Sequence, residues 1–333
     1  LSSSKKCLDN KIIDEILYED EFLLQLENLS ENDIDFIDYM KVSNPKKFIS
    51  SNKIAIIYAT GSINTGSGSY NSIGSETTVK AIRKASEDKN VKAIVLRINS
   101  PGGSALASDI ILRELNLAKK NKKIVVSMGD YAASGGYYIA CNADRIFANN
   151  TTLTGSIGVF GIVPNTKDFL NEKLGVYIET VKTHKHSDIG LGYRKLNDEE
   201  VAVMQGSVYE IYEKFITHVS KGRGITIKEI DAIGQGRVWS GLDALNIGLI
   251  DEIGGLDDAI LSAAELASVD NYRIITLPKK TDELEELLNG FSMNQKIVLP
   301  EFLNISEEDI NQLDILNSKE KIQMKLPFVM EIH

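Results

Sequence analysis

The stretch VKAIVLRINSPGGSALASDIILRELNLAKKNKKIVVSMGD, residues 91–130, decides the fold. Its first part, VKAIVLRINSPGG (91–103), is apolar almost without a break and closes on glycine, the pattern of a strand covered on both faces. The next part, ASDIILRELNLAKKN, places Leu106, Ile110, Ile111, Leu115 and Ala118 on one side of an amphipathic helix. KKIVVSMGD (122–130) then repeats the buried-strand pattern. Strands alternating with helices predict βαβ units and an α/β fold with a largely parallel sheet.

Working outward, KIAIIYATG (53–61) reads as another buried strand, GSINTGSGSYNSIG (61–74) as a glycine/serine loop, and 76–88 as a helix. DRIFANNTTLTGSIGVFG (144–161) contains a fourth strand. The strongest helical pattern is 198–220. Asn197 and Glu200 form a capping pair there, Met204, Val208, Ile211, Phe215 and Val219 make the apolar stripe, and Gly222 ends it. Three regions follow. Residues 1–52 are acidic, lack glycine, show helical spacing at Ile13, Ile16, Leu17 and Leu24, and break at Pro45. Residues 53–270 form the α/β domain, and 271–333 read as a polar, partly helical tail.

Length agrees with this division, since 333 residues at roughly 150 per domain give about two domains. A net charge of −10 argues against nucleic acid as the main partner, because phosphate binding needs a basic face. Two cysteines exclude a disulfide scaffold and a cysteine-built zinc site. No run of 18 apolar residues spans a bilayer. The chain opens on Leu1, so a natural N-terminal segment is expected upstream.

One internal repeat bears on that expectation. Residues 3–22 align without gaps on 240–259, matching at Ser3/Ser240, Leu8/Leu245, Ile13/Ile250, Asp14/Asp251, Glu15/Glu252, Ile16/Ile253 and Asp20/Asp257. Either two acidic amphipathic segments coincide, or the chain begins at the end of an upstream copy of its own domain.

For chemistry, the chain has no P-loop, no H-E-x-x-H zinc motif and no G-x-S-x-G elbow. The strongest constellation is INSPGGS (98–104) with DYAASGGYYIA (130–140). Ser134 sits where a strand turns into a short helix, at the positive end of its dipole. Gly102 and Gly103 lack side chains, so their N–H groups can approach a reacting carbonyl, and each such donor is worth on the order of 10²–10³ in rate. The bland reading is two tight strand-to-helix turns. A nucleophilic serine also needs a base. Of His184, His186, His218 and His333, His218 sits within the long helix, His184 or His186 leaves a Ser-His-Asp triad open, and those two alone are too few for a metal. Lysine is the alternative. Lys182, Lys185 and Lys195 are the candidates within the chain, and any one must drop by ~3 units from ~10.4 to act near neutrality.

INSPGGS, DYAASGGYYIA, NNTTLTGSIGVFG and GQGRVWSGLDALNIGLIDEIGG, in this order over roughly 53–268, closely resemble the signal peptide peptidase A family. Its members are bacterial membrane-bound serine proteases of the Clp protease/crotonase fold, built from repeated ββα units. The resemblance implies Ser134 as nucleophile, the N–H groups of Gly103 and Gly135 as the oxyanion hole, Gly102 as the shaper of that turn, and Ser156 as a positioner of the base. It implies no cofactor and no metal. Short members carry the catalytic lysine in a K-D-I-G stretch; here the matching stretch is HSDIG (186–190), with Ser187 in the lysine's place. That departure fits the long form, in which an N-terminal copy supplies the lysine and a C-terminal copy the serine. The resemblance thus implies a serine-bearing C-terminal half with its lysine half and membrane anchor missing. It further implies a homo-tetramer with a bowl-like cavity, a bacterial inner membrane location with the catalytic part on the periplasmic side, and signal peptides or other apolar peptides as substrates. Three other readings stay open: a catalytically silent assembly module, a crotonase-type acyl-CoA enzyme, and a serine peptidase with Lys182 or Lys185 as its own base.

Overall fold

The computed structural model describes residues 4–29, 50–69, 71–278 and 322–325, in two compact units, Leu1–Ile49 and Ser50–His333. In the first unit, α1 (Ser4–Asp9) ends where Lys11 turns left-handed at φ 55, and α2 (Glu19–Leu29) starts with the Glu21 carboxylate accepting from Tyr18 N at 2.9 Å. Ile13, Ile16 and Leu17 lie in the connection between the helices, not in a helix as their spacing predicts. Pro45 falls outside the described residues.

The second unit opens with strand–strand–helix units. The first is β1 (Lys53–Thr60), β2 (Ser62–Asn64), β3 (Ser72–Gly74) and α3 (Ser75–Glu87). The second is β4 (Val91–Ser100), β5 (Gly102–Ser104) and α4 (Ala105–Ala118). The third, β6 (Lys123–Ala133) and α5 (Gly135–Ala140), turns directly from strand to helix. Then come β7 (Arg145–Ala148), β8 (Leu153–Gly155), β9 (Phe160–Gly161), α6 (Asp198–Arg223), α7 (Ile227–Ile233), β10 (Val238–Ser240), α8 (Gly241–Asn246), β11 (Glu252–Ile253), α9 (Leu256–Leu266), β12 (Arg273–Leu277) and β13 (Ile322–Lys325). The long strands make one sheet in the order β10–β8–β6–β4–β1–β12, with β7 also on β6 and β11 on β7. Every pair in it is parallel except β10 with β8. The short strands make a second sheet, β3–β2–β5–β13–β9.

The unbroken apolar runs have a physical reason, since both faces of the large sheet are covered. Ile57, Ile94, Leu96 and Val126 join the core that includes Ile82 of α3, Ile111 of α4 and Phe215 of α6. Ile54, Ile56, Val95 and Val125 pack instead with Ala259, Ile260 and Ala263 of α9. The mixed α/β fold, its parallel sheet and its repeated ββα units are as the sequence and the resemblance led one to expect.

Four details depart from the sequence reading. Residues 61–74 are not only loop, because they supply β2 and β3, which pair Ser62 with Ser72, Ile63 with Ile73 and Asn64 with Gly74. On α4 the buried positions are Ala107, Ile111, Leu112, Leu115 and Ala118, while Leu106 and Ile110, at the edge of the stripe, stay 58% and 41% exposed. Helix α6 passes Gly222 and ends at Gly224, which takes φ 69. Gly222 is bare for another reason: a Cβ there would overlap the Cys141 carbonyl and the Asn142 side chain. The stretch read as a tail from 271 supplies β12, parallel to β1, and β13 in the small sheet.

Candidate active site

Ser134 stands at the junction of β6 and α5, with φ 52 and ψ −114 and 1% exposure. The conformation is costly for a residue with a Cβ, and such strain at a strand–helix junction thrusts a side chain out of the regular ladder. Neighbours hold it. Ser134 N donates to Gly155 O at 2.9 Å and Tyr138 N donates to Ser134 O at 2.8 Å. β6 makes room for the turn by a register slip against β4, from Ile98 opposite Met128 to Ser100 opposite Ala132. Ser156 follows directly on β8, whose Gly155 pairs with Ala133, and it too is left-handed, at φ 45, and buried. Ser134 and Ser156 therefore each directly follow one residue of the paired Ala133 and Gly155.

The glycines converge as well. Gly102 has φ 101, and a Cβ on it would lie 2.7 Å from Gly135 N. A Cβ on Gly135 would lie 3.2 Å from Gly103 N and 2.7 Å from Ser108 Oγ. One on Gly103 would overlap the Ile63 carbonyl of β2. The amides of Gly103 and Gly135 thus border one small space that only glycines leave open. Gly102 N is bound to Ser100 Oγ at 3.1 Å, which fits a residue that shapes the turn and leaves the other two amides to face the space.

The Ser134 hydroxyl donates to Gly158 O at 3.4 Å, a long bond. Among the described residues no histidine or lysine side chain bonds it. Four of the charged candidates are engaged elsewhere: Lys182 Nζ with Asp188 at 3.0 Å, Lys185 with Glu199, His186 Nδ1 with Glu200 at 3.3 Å, and His218 Nε2 with Asp109 at 3.8 Å. Burial lowers the His218 pKa. Ser187 closes a turn on the His184 main chain, accepting from His184 N and donating to His184 O, both at 3.0 Å. Around it, Arg194 bridges Asp188 and Glu200, each at 2.7 Å, a charge network that structures 182–200. A cavity there is lined by Lys167, Tyr177, Lys182, Asp188 and Arg194, among others, but neither Ser134 nor Gly103 lines it. Among the described residues no cluster of His, Cys, Asp and Glu could hold a metal.

Sequence reasoning missed two participants. Gly158, whose carbonyl receives the Ser134 hydroxyl, carried a signal only as one more glycine in TGSIGVFG. Met324 of β13 carried none, yet its carbonyl oxygen lies against Gly102 and Gly135: a Cβ on Gly102 would overlap it, and one on Gly135 would lie 3.0 Å from it.

The model of "Peptidase family S49" matches residues 116–270, which include Ser134, Gly135 and Ser156. Protease 4 of Salmonella typhi is 37% identical over 305 residues, 90% of this chain and 49% of that protein. The chloroplastic serine protease SPPA of Arabidopsis thaliana is 34% identical over 98% of this chain and 50% of its own length. The chain thus spans about half the length of these relatives. A putative signal peptide peptidase SppA of Enterococcus faecium is 34% identical, over 71% of this chain and 68% of that protein. At this similarity, spread over most of a shorter relative as well as half of the longer ones, the chain carries a serine peptidase domain and belongs to peptidase family S49.

Proposed function

We propose that this chain is the serine-bearing half of a two-copy endopeptidase working by a Ser/Lys dyad. The observation that carries it is the strained, buried Ser134 directly before Gly135, whose place meets the Gly103 amide, while no described lysine or histidine bonds its hydroxyl. The base then comes from an upstream copy. The repeat supports this. In the gap-free alignment of 3–22 on 240–259, continued to 29 and 266, α1 falls on α8 and α2 on α9 with both pairs of bounds coinciding. Two acidic segments matching by coincidence have no reason to share helix bounds as well.

In the reaction, a lysine made neutral by burial takes the proton from Ser134 Oγ, which attacks a peptide carbonyl carbon. The oxyanion is held by Gly103 and Gly135 N–H. The resulting ammonium gives its proton to the leaving amine, and the C–N bond breaks. Water, deprotonated by the same amine, then attacks the acyl carbon, and the ammonium so formed gives its proton to Ser134 Oγ as the ester bond breaks and the acid leaves. Ser156 steers the base from its place beside the nucleophile. Substrates are extended apolar peptides such as signal peptides, at the outer side of a bacterial inner membrane, to which an upstream anchor holds the protein. Among the described residues no helix is long and apolar enough to cross a membrane. Copies alternate around a homo-tetrameric ring. Exposed Leu106 and Ile110 on α4 and Val201, Val203 and Tyr209 on α6 offer apolar surface for that assembly.

The test uses the full-length polypeptide. Ser134→Ala removes peptide hydrolysis, by on the order of 10⁶-fold in kcat, together with fluorophosphonate labelling. Lys182→Ala and Lys185→Ala, which break partly exposed pairs, stay within about two-fold of the parent. Activity that survives Ser134→Ala removes the nucleophile assignment. Activity lost in a folded lysine variant moves the base into this chain.

A further inference from the structure

One end of the large sheet carries a charge opposite to that of the chain as a whole. The net charge is −10, yet the turns that lead into β4 and β6 gather lysines at 89, 92, 119, 120, 122 and 123. β4 and β6 are parallel neighbours, with Ala93 opposite Lys123, so the two turns lie side by side where both strands begin. Side chains tie them together. Lys122 Nζ, from the second turn, donates to Asp88 O at 3.0 Å and Val91 O at 2.6 Å in the first. Lys92 Nζ donates to Lys89 O at 3.1 Å. The Lys122 pKa is lowered first by burial and next by the Lys92 charge, which outweighs that of Asp88. Like charges are thus held together where separation would relieve them.

The ordinary reason for cations here accounts for part of the cluster. α3 ends at Glu87 and α4 at Ala118, and helix C-termini favour positive charge. Lys122 serves the α3 end through Asp88 O, and Lys119 Nζ donates to Asn142 O, just past α5, at 2.6 Å. The nearby carboxylates are engaged: Asp88 with Lys53 at 2.8 Å and Asp144 with Lys119 at 3.6 Å, while the Glu87 charge acts on Arg83. Lys89, Lys120 and Lys123 remain. All three are exposed, and among the described residues none of their ammonium groups meets a carboxylate or a carbonyl.

The composition of the patch selects its partner. Residues 84–92 and 119–123 hold no aromatic side chain and no arginine, the groups that stack on bases or grip one phosphate with two bonds. Ammonium groups on flexible stems act instead as separate point charges, which suits a surface bearing many phosphates. We propose that the turns at 88–92 and 119–123 form a docking face for an anionic bilayer surface, with Lys89, Lys120 and Lys123 as its free charges. Each lysine at such a surface adds roughly five-fold in affinity. β6 runs from Lys123 to Ala133, roughly 30 Å at ~3.3 Å per residue, so Ser134 lies at the opposite end of the sheet. A bilayer held at the lysines leaves the serine end facing away from it. This docking needs neither the nucleophile nor the base assigned above.

The experiment reads binding, not catalysis. The probe is a vesicle of phosphatidylcholine with phosphatidylglycerol at roughly one lipid in three, and co-sedimentation of the 333-residue chain measures the affinity. Despite its net charge of −10, the chain is expected to sediment with these vesicles at low salt, to stay in solution with phosphatidylcholine alone, and to come off at ~0.5 M salt. Lys89→Gln/Lys120→Gln/Lys123→Gln weakens binding about 100-fold. Lys167→Gln/Lys173→Gln/Lys228→Gln, the same change of charge at exposed lysines elsewhere, leaves it within about two-fold. Both variants alter exposed side chains only, and an unchanged thermal midpoint checks that they fold. A parent chain that ignores anionic vesicles at low salt overturns the proposal, and so do two triple variants that bind alike. Self-association at low salt that vanishes in the first variant, without vesicle binding, gives the patch to an acidic face of a second copy and overturns it too. None of these results touches the nucleophile assignment, which falls only if Ser134→Ala remains active.

Discussion

Ser134 and Gly103 show how much of a site depends on missing or misplaced atoms. Ser134 carries a Cβ in a left-handed conformation at a cost of ~1–3 kcal/mol, and the surrounding ladder bonds sustain it. Gly103 does the opposite, lacking the Cβ that would strike the Ile63 carbonyl. Gly103→Ala must therefore push β5 away from β2 and carry its amide out of line with the oxyanion. In the full-length enzyme kcat is expected to fall on the order of 10²–10³-fold, with KM far less affected, as for loss of one oxyanion donor. Gly66→Ala is the control. Gly66 also has a positive φ, 83, but no neighbour within 4 Å of a Cβ, so strain alone leaves kcat unchanged. Sequence inspection singled out Ser134, Gly102 and Gly103, and the resemblance added Gly135, because a bare strand-to-helix turn is written in small residues. It could not find the left-handed conformations of Ser134 and Ser156, which neither residue type favours by itself.

At the scale of elements, α6 shows where pattern reading succeeds and where it stops. The capping box is present as read: Asn197 Oδ1 accepts from Glu200 N and Glu200 Oε2 accepts from Asn197 N, both at 3.0 Å. The apolar stripe is buried only in its second half, at Phe215, Ile216 and Val219. The helix also runs through Gly222, which the sequence offered as its end. Gly222→Leu is expected to cost ~1–3 kcal/mol, because the last turn can no longer lie on the main chain at Cys141. A lowered thermal midpoint measures this, and an unchanged midpoint removes the close-contact explanation. The long strands were legible because burial on both faces leaves few polar side chains. β2, β5 and β13 were not, since three or four residues joined by backbone bonds impose little on their side chains.

At the scale of the molecule, the charge network of 182–200 ties a segment with little regular structure to the start of α6. Arg194 and the Asn197 amide hold the Glu200 carboxylate down to about 2, and Arg194 with Tyr193 holds Asp188 well below the usual carboxylate range. Folded values below the unfolded ones mean that this stabilisation is complete above about pH 4, where unfolded carboxylates are ionised, and drains away as pH falls toward about 2. The urea midpoint is accordingly expected to drop between pH 7 and pH 3. Arg194→Gln lowers the midpoint at pH 7 and flattens the dependence; an equally steep fall in that variant assigns the acid sensitivity to other groups.

The sequence by itself determined the α/β class, the order of the long strands and helices, the serine and glycine turns proposed to carry the chemistry, and the echo of residues 240–259 at 3–22. Each is encoded locally, as an apolar period, a small residue at a turn or a short identity. Only the tertiary structure decided that Gly103 and Gly135 share one space, that the Ser134 hydroxyl rests on Gly158, and that β13 lies between β5 and β9 with the Met324 carbonyl against the glycines. These depend on contacts between residues far apart in the chain and made largely by backbone atoms. Every residue has those atoms, so no pattern of side chains announces them.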